Sequence, residues 1–376
     1  MMKEVYITDY NCVTPLGFST SENWENVLMG NSGVSKLPIL ENQDDIYISK
    51  IDDNLLESEF EEKFNETDFR RLEKMLLLAL QPLIEKHSIH SETALILSTT
   101  KGNISALKNQ SQLPEPVFLA NLAKKIATFF GFTTQPIVVS NACVSGVMAL
   151  AVAKNRLLAG KFSDAYVIAG DEISEFVVSG FNSFQAISDE PCQPYDKNRK
   201  GINLGEAAAA AYVTTEKSKE GFKILGDSAI NDANHISGPS RTGEGLFRSV
   251  FNAMKESQLS ANDIDFISAH GTATIYNDEM EAIAFNRAEM QEIPLHSLKG
   301  FYGHTLGAAG LLETIIAMEG AKNSVLIPSK NYQESGVSQS INVIQENQTK
   351  KIHYILKTAS GFGGCNAALV LENLNF

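Results

Sequence analysis

Short apolar runs recur along the chain, and segments with helical periodicity lie between many of them. The runs that predict strands are Glu4–Thr8, Ala94–Ser98, Ile137–Ser140, Ala165–Ala169, Ala208–Val213, Ile264–Ala269, Ile352–Leu356 and Ala367–Leu371. Several of them are apolar throughout, which is typical of strands buried on both faces. The segments that predict helices are Trp24–Leu28, Phe69–Ile84, Ser145–Leu158, Gly245–Met254, Glu279–Arg287 and Leu306–Gly320. This alternation predicts an α/β protein whose sheets are covered by helices.

A weak break near Lys217–Gly221 divides the chain. It follows the predicted strand Ala208–Val213 and precedes another strand-like run, Phe222–Leu225. A chain of 376 residues is long enough for two domains, or for one large domain with an internal duplication. We therefore predict two similar halves, residues 1–220 and 221–376, although periodicity alone does not establish that they are duplicates.

The composition and charge argue against several classes of protein. A net charge of −14 does not suit a nucleic-acid-binding protein, which needs a broad basic face. No run approaches the roughly 20 apolar residues that span a membrane. The N-terminal residues lack the apolar core and the cleavage site of a secretory signal, so a cytoplasmic protein is expected.

Four cysteines, Cys12, Cys143, Cys192 and Cys365, lie far apart in the sequence. They form neither a CxxC motif nor a cysteine–histidine cluster, so no metal site is predicted. A large chain with scattered cysteines does not depend on disulfides, which favours a reducing compartment. There a free thiol can serve as a nucleophile.

Residues 138–160 place Cys143 between a buried strand and the start of a helix. Backbone N–H groups at a helix N-terminus stabilise a thiolate, so this position predicts a lowered pKa for the Cys143 thiol. Its neighbours Ala142, Ser145 and Gly146 are small and would let a substrate carbonyl approach the sulfur. An inert buried cysteine is the alternative, because cysteine also packs like a small hydrophobic residue.

Two histidines also stand in turns. His270 ends the strand Ile264–Ala269, and the ends of strands are where α/β proteins gather their active sites. Thr272 and Thr274 follow it and could bind a polar ligand arm, or serve as turn and capping residues of a structural loop. His304 lies in a glycine-containing turn before a helix of small residues.

The surroundings of His304 include two further charged residues. Lys299 precedes it in the same turn, and Glu313 follows nine residues later on the predicted helix. Taken alone, a lysine and a histidine in a loop indicate a solvated turn. The small residues 307–310, however, predict close backbone packing behind His304.

A glycine-rich segment near the C-terminus surrounds Phe362 with Gly361, Gly363 and Gly364. A hairpin turn between two strands is one interpretation. A backbone N–H directed at a developing oxyanion, with Phe362 as a movable lid, is the other. The motif matches neither a Walker loop nor the GxGxxG fingerprint, so phosphate binding is not predicted.

Together these segments resemble the elongating, two-histidine β-ketoacyl–acyl carrier protein synthases. The resemblance covers nearly the whole chain. It includes the opening VYITDYNCVTPLGFSTSENWENVLMGNSGVSKL and the mid-chain signature QPYDKNRKGINLGEAAAAAYV. The ordered set of Cys143, His270, Lys299, His304 and Phe362, each within its matching motif, makes it specific.

The resemblance implies a thiolase fold, in which two similar α/β halves form five alternating layers of helices and sheets. Cys143 would accept an acyl group from an acyl carrier protein as a thioester. His270 and His304 would bind a malonyl thioester and help it to lose carbon dioxide. The resulting carbanion would attack the Cys143 thioester, while the backbone N–H groups of Cys143 and Phe362 form the oxyanion hole. No resident cofactor is implied, because the phosphopantetheine arm arrives on the carrier.

The family also implies roles for residues around this set. Lys299 and Glu313 match positions that fix the orientation and tautomer of the histidines. Thr272 and Thr274 match the pair that contacts the phosphopantetheine arm. The remaining residues expected at the substrate are Asp278, Glu281, Gly361 and Gly363.

Partners are implied as well. The carrier protein is expected to be acidic. Arg70, Arg71 and Lys74 lie on one helical pattern, and Arg70 and Arg71 match a basic docking pair of the family. A solvated charged face is the alternative. Relatives are dimers, and the sequence does not separate a homodimer from a heterodimer.

The sequence departs from the family pattern at several places. Tyr302 stands where a small hydroxyl residue is usual, and Ala207 replaces an expected glycine. The chain is also shorter in Thr100–Thr134 and Phe184–Pro194, segments that help to form the acyl pocket and dimer interface in relatives. This shortening resembles ketosynthases of aryl polyene or flexirubin pigment clusters.

Other functions compete with the condensing-enzyme interpretation. A chain-length-factor-like partner subunit would lack catalysis, and such partners typically also lack the cysteine that this chain retains. A thiolase would use a second cysteine, for which Cys365 is a candidate, although a packing role at a strand start is expected for it. Priming synthases carry an asparagine in the place of His304.

Overall fold

The computed structural model describes residues 3–38, 45–65, 68–107, 113–232 and 238–375. The strands before residue 220 are β1 Tyr6–Val13, β2 Val34–Leu37, β3 Ile46–Ser49, β4 Thr93–Ser98, β5 Ile137–Val139, β6 Asp164–Asp171, β7 Leu204–Gly205 and β8 Ala207–Thr214. The helices there are α1 Thr20–Leu28, α2 Asp53–Lys63, α3 Arg71–Lys86, α4 Leu119–Phe130, α5 Ser145–Leu158 and α6 Glu175–Ser183. Short 3₁₀ turns occupy Ile104–Ala106 and Glu115–Val117.

The remaining residues repeat the alternation. The strands are β9 Phe222–Asn231, β10 Phe266–Ser268, β11 Pro294–His296, β12 Val325–Leu326, β13 Asn342–Val343, β14 Gln348–Thr349, β15 Tyr354–Gly361 and β16 Cys365–Asn373. The helices are α7 Glu244–Ser257, α8 Ile275–Arg287, α9 Lys299–Tyr302 and α10 Ala309–Lys322, with 3₁₀ turns at Ala261–Asp263 and Leu306–Ala308.

The topology of the main sheet repeats itself. Its eleven strands lie in the order β13-β11-β10-β15-β16-β9-β1-β8-β6-β4-β5. Five strands from each side of residue 220 follow the same order, β11-β10-β15-β16-β9 and β5-β4-β6-β8-β1, with the same parallel and antiparallel pairings. β1 and β9 join the two sets. Strand order therefore reveals a duplication that the hydrophobic pattern alone left open.

Two helices lie between the repeated sets of strands. α5 packs against β4 and β6 as well as β9 and β16, and α10 packs against β1 and β8 as well as β10 and β15. The outer face of the first set is covered by α3 and α4, and that of the second by α7 and α8. The order is helix, sheet, helix, sheet, helix. The central helices are buried on nearly all sides, which explains their small and apolar side chains.

The two central helices cross at a pair of glycines. A Cβ on Gly146 would lie 2.5 Å from the backbone nitrogen of Leu311, and one on Gly310 would lie 2.5 Å from that of Val147. Backbone therefore meets backbone at this crossing, and only glycine fits. The close packing predicted from the small residues 307–310 is confirmed.

Gly310→Ala is accordingly expected to destabilise the fold. A methyl group here would push the central helices apart, at a cost of about 1–3 kcal/mol in the free energy of unfolding. Urea unfolding followed by the fluorescence of Trp24, which packs beside α10, would measure it. Gly180→Ala is the matched control, because a helical Cβ there meets no atom within 4 Å. Equal stability of the two variants would contradict the prediction.

The predicted elements are present, with differences at their ends. β1 continues to Val13 through Asp9 and Asn11, polar residues at which the predicted strand was ended. β15 likewise runs on to Gly361 past Lys357. Helices α2, α4 and α6 and the short helix α9 were not predicted. In the shortened segment Thr100–Thr134, residues 108–112 lie outside the described residues.

Candidate active site

Cys143 lies in a sharp turn between β5 and α5. Ala142 before it adopts a left-handed backbone conformation, with φ of 44°. The buried Ser145 hydroxyl holds this turn: it donates to the carbonyl of Ala142 (2.6 Å) and accepts the N–H of Asn141 (2.7 Å). A strained backbone held on both sides presents the cysteine in a fixed orientation, an arrangement common at functional sites.

His304 reaches the same point from the second half of the chain. Its backbone N–H donates to the carbonyl of Asn203 (2.7 Å), and its carbonyl accepts the N–H of Gly205 (3.0 Å). Its Nε2 lies 3.0 Å from the Cys143 sulfur. The thiol and this imidazole therefore form a direct pair, although 161 residues separate them in the chain.

His270 completes the group from the end of β10. Its ring lies 5.2 Å from that of His304, with the two planes nearly perpendicular. The buried ammonium of Lys299 lies 3.3 Å from His270 Nδ1 and donates to the carbonyl of the same residue. The predicted convergence of one thiol and two imidazoles is present in the structure.

The hydrogen bonds assign the tautomers of both histidines. An ammonium group can only donate, so His270 Nδ1 accepts from Lys299 and Nε2 carries the proton. His304 Nδ1 accepts the backbone N–H of Leu306 at 3.3 Å, which places its proton on Nε2 as well. Burial, and then the nearby Lys299, lower the pKa of both imidazoles well below the ordinary value. Each is therefore neutral and offers an Nε2–H donor.

The pKa of the nucleophile differs from the expectation. Burial raises the pKa of the Cys143 thiol to about 12, against which Lys299 acts. The sequence had predicted a lowered pKa from the helix N-terminus, but the loss of solvation outweighs that effect in the free protein. The thiolate is thus a minor species, stabilised when it forms by the Nε2–H of His304.

Alkylation of Cys143 by iodoacetamide is expected to become faster from about pH 7 to about pH 10 without a plateau, because thiolate is the reactive form. His304→Ala should react more slowly at each pH, since it lacks the N–H that stabilises the thiolate. Intact-mass kinetics would measure both rates, with Cys143→Ala to subtract labelling at other cysteines. A plateau below about pH 8 would contradict the raised pKa.

Glu313 connects two buried lysines behind the imidazoles. Its Oε1 accepts from Lys299 (2.7 Å), as predicted for an orienting residue, and its Oε2 accepts from Lys357 (2.6 Å). Burial alone would raise the pKa of Glu313, but Lys299 and Lys357 together hold it below the ordinary value. Lys357 was missed in the sequence.

Asp278 and Glu281 have a different role from the one predicted. Both are fully buried and lie outside the described lining of the cavity. Glu281 accepts the backbone N–H groups of His270 (2.9 Å) and Gly271 (2.7 Å), and Asp278 accepts that of Thr272 (2.9 Å). The prediction that they contact the substrate is therefore corrected: they hold the loop that carries His270.

A cavity of about 290 Å³ contains the three reactive side chains. Among the predicted residues, those that line it are Cys143, His270, Thr272, Thr274, His304, Gly361 and Phe362. Ile275 and Tyr276, which are exposed, lie at its mouth. A path therefore leads from the surface past the threonine pair to the sulfur.

Phe362 lies at the tip of the hairpin between β15 and β16, so the hairpin interpretation of the glycine-rich segment is correct. Its ring stacks on Phe181 at 5.5 Å and meets the edge of Phe184 at 5.3 Å. Both partners also line the cavity and were missed in the sequence. Gly363 is exposed at the tip and lies outside the described lining.

The hairpin also brings a second backbone segment to the sulfur. A Cβ on Gly361 would lie 3.0 Å from the backbone nitrogen of Cys143, so these two backbone segments lie in close contact. This places the residue before Phe362 beside Cys143, as the predicted pair of oxyanion donors requires. Their role as donors stays a prediction.

The predicted basic docking residues are divided by the structure. Arg71 bonds to the buried Glu206 and to Asp53, and Lys74 is buried and bonds to Glu57. These cations are engaged within the chain, which corrects their assignment to a docking surface. Arg70 is exposed and stays a predicted contact.

Three other expectations bear on the site. Cys143, His270 and His304 offer ligand atoms within 4.8 Å of one another, but the two lysines behind the imidazoles disfavour an added cation, so the absence of a metal stays a prediction. Cys365 is buried and donates to Asn141, outside the described cavity lining. Tyr302 packs in the central core, outside the described lining of this cavity.

Comparison with known proteins yields a consistent set of matches. Residues 2–219 match the family model "Beta-ketoacyl synthase, N-terminal domain", and residues 222–333 match "Beta-ketoacyl synthase, C-terminal domain". The 3-oxoacyl-[acyl-carrier-protein] synthase 2 of Rhizobium meliloti is 27% identical, and the match covers 99% of each chain. The enzyme of the same name from Staphylococcus aureus is 24% identical over 98% of each.

A solved structure gives the fold. The ketosynthase in complex with its chain length factor from Xenorhabdus doucetiae superposes with a TM-score of 0.85 at 23% identity, covering 99% of this chain and 98% of that one. The predicted thiolase fold is thereby confirmed. In the described part of the chain, no helix has the length and apolar character needed to cross a membrane.

Proposed function

Because the chain belongs to the β-ketoacyl synthase family, we propose that it is an acyltransferase that joins an acyl group on Cys143 to malonyl–acyl carrier protein, with loss of carbon dioxide. One observation carries this proposal. The Cys143 sulfur and one ring nitrogen of each of two neutral histidines lie within 4.8 Å of one another, in one cavity that opens to the surface. That set supplies a nucleophile and two hydrogen-bond donors, which are what the reaction needs.

In the first half-reaction, the Cys143 thiolate attacks the thioester carbonyl of the acyl carrier protein. The negative charge that develops on the carbonyl oxygen would be stabilised by the backbone N–H groups of Cys143 and Phe362, each worth roughly 3–4 kcal/mol in the transition state. The carrier's thiolate then leaves and takes up a proton. The acyl group remains on Cys143.

In the second half-reaction, malonyl–carrier enters and its thioester oxygen accepts the Nε2–H groups of His270 and His304. The electron pair of the bond to the carboxylate moves onto that oxygen as carbon dioxide leaves. The resulting enolate carbon attacks the Cys143 thioester, the carbon–sulfur bond breaks, and the thiolate is regenerated. The donors are in place beforehand, which is how such sites lower a barrier.

The chain requires no cofactor of its own in this scheme. The phosphopantetheine arm would enter past Tyr276 and Ile275 and contact Thr272 and Thr274, whose hydroxyls lie 2.8 Å apart on the cavity wall. An acidic carrier would dock near this mouth. Among the predicted basic contacts, Arg70 is the one for which the described residues supply no ion pair.

A dimer is part of the proposal. β5 ends the main sheet beside Cys143, and its outer edge has no partner strand in the described residues. An unpaired edge is a natural place for a second chain. The Xenorhabdus ketosynthase binds a chain length factor, so both a second copy and a related subunit are candidates.

A cytoplasmic location, in which the free cysteines stay reduced, completes the proposal.

Mixing the purified protein with acyl and malonyl carrier proteins tests the function. Carbon dioxide release and a β-ketoacyl product of the expected mass are the expected results. Product from neither carrier would contradict the proposal. Acyl coenzyme A in place of acyl carrier would separate it from a thiolase or priming synthase, since efficient acylation from coenzyme A favours those alternatives.

The alternative of a non-catalytic partner subunit makes a different prediction. Such a subunit would co-purify with an active ketosynthase and would not be acylated on Cys143. The reactive set is complete here, which favours the enzyme.

Fatty-acid elongation and pigment synthesis differ in the acyl chain, so competition between saturated and polyenoyl carriers of several lengths would distinguish the pathways.

A further inference from the structure

A second buried lysine lies behind the catalytic histidines. Lys357 is fully buried on β15, and its ammonium donates to Glu313 Oε2 at 2.6 Å. It also contacts the carbonyls of Ser268 (3.2 Å) and Ala269 (3.5 Å), which immediately precede His270. A buried lysine is costly unless paired, so a fully enclosed one at this point calls for an explanation.

Two ammonium groups share one carboxylate in this cluster. Glu313 offers one carboxylate to two ammonium groups, Lys299 and Lys357. The ionisable groups that face the imidazoles are Lys357 from β15, Lys299 from α9, Glu313 from α10, Glu281 and Asp278 from α8, and Cys143 before α5. The two carboxylates of α8 bond to backbone N–H groups of the loop. At the two rings the lysine pair has the larger effect, because Lys299 and Lys357 both lower the pKa of each imidazole.

We propose that Lys357 is a positioning residue for decarboxylation: it holds the second oxygen of Glu313, thereby fixes Lys299 against His270, and supplies positive charge behind both imidazoles. This inference rests on the condensing function proposed above. Lys357 does not touch the substrate. It acts through Glu313, Lys299 and the carbonyls that lead into His270.

The two half-reactions should depend on Lys357 to different degrees. Acyl transfer uses the direct Cys143–His304 contact at 3.0 Å. Decarboxylation moves an electron pair onto the thioester oxygen held by both Nε2–H groups, so positive charge behind the rings favours the product of that step. Two cations also lower the pKa of both imidazoles, after burial, and keep them neutral donors.

Lys357→Met tests the inference. The decarboxylation of malonyl–carrier should fall by about tenfold or more, while Cys143 acylation changes less than about threefold. Removing one cation raises the pKa of the imidazoles, so the acidic limb of the pH profile for condensation should move to higher pH. Lys357→Gln can still donate to Glu313 and to the carbonyls, so it removes the charge while keeping a donor. It replaces the methionine variant in the test if that variant does not fold.

Lys154→Met is the matched control. Lys154 is also a buried lysine with two ion-pair partners, Asp227 (2.8 Å) and Glu256 (2.6 Å), but it lies on α5 outside the described lining of the cavity. The Lys154→Met variant should be less stable than the wild type, but it should keep the wild-type rates of acylation and decarboxylation and the wild-type pH profile.

Several outcomes would overturn the inference. Lys357 variants that match the wild type in both half-reactions and in pH profile would do so, as would an equal loss of both half-reactions with an unchanged profile, since that indicates a merely structural role. An inactive wild-type protein would overturn the proposed function as well, so the two failures are distinguishable.

Discussion

Cys143→Ala should abolish condensation, with a loss of about 10⁴-fold or more, while carbon dioxide release from malonyl–carrier continues. The variant lacks the acyl acceptor, but His270 and His304 retain their Nε2–H donors. In the proposed mechanism the thiol accepts the acyl group and the imidazoles bind the malonyl thioester, so decarboxylation should survive the loss of the thiol. Intact mass would show that the acyl adduct is absent, and radiolabelled malonyl–carrier would report decarboxylation.

Cys12→Ala provides the comparison for this experiment. Cys12 is a fully buried thiol on β1, outside the described lining of the cavity. Its replacement should leave both activities within about twofold of the wild type while removing a cysteine from the protein. Full condensing activity of Cys143→Ala would show that the thiol is not the acyl carrier, and the proposed chemistry would have to be abandoned.

His304→Ala and His270→Ala are expected to differ in a diagnostic way. His304 contacts the sulfur and, in the proposed mechanism, also the malonyl oxygen. Its loss should therefore reduce both half-reactions by about 10²-fold or more. His270 makes no direct contact with the sulfur and should matter mainly for decarboxylation. Acylation of Cys143 in His270→Ala should stay within about tenfold of the wild type.

Rates of acylation and decarboxylation, measured separately, would check this division. His87→Ala is a suitable control. His87 follows the C-terminal end of α3, bonds to Asp9 and lies outside the described lining of the cavity. Equal effects of the two active-site variants on both half-reactions would contradict the assignment of His304 to the sulfur and of His270 to the enolate.

Much of the site could be predicted because its residues lie next to sequence patterns that predict strands and helices. Cys143 and His270 each follow a strand-like run, and His304 precedes a helix of small residues, so the chain pattern marked them before any contact was known. The spatial convergence came from the family resemblance. Local pattern alone had left each of them beside an ordinary structural alternative.

Other parts of the site depend on partners that are distant in the chain. Arg71 and Lys74 have the spacing of a docking face, yet Arg71 bonds to Glu206, 135 residues away. Lys357 ended the predicted strand because a lysine is unusual in a buried strand, and only the contact with Glu313 on α10 shows why it is tolerated. The same unusual lysine was the available signal: a charge inside an apolar run indicates a buried partner.

The raised pKa of Cys143 illustrates a different limit. The helix N-terminus is visible in the sequence, but the degree of burial is a property of the assembled fold. The sequence pattern showed the favourable electrostatic effect and could not show the solvation lost against it. The same holds for Asp278 and Glu281: the family resemblance implied substrate contact, and only the assembled fold shows their bonds to backbone N–H groups.

The repeated strand order has a consequence for how such a site can arise. Cys143 lies between β5 and α5, and His304 lies between β11 and α10. β5 and β11 are the corresponding edge strands of the two repeats, so the two residues occupy corresponding places in the two halves. A pair of identical subunits would present the same side chain twice at this meeting point. Fusion of the two copies into one gene frees each place to diverge, so that one becomes sulfur and the other nitrogen.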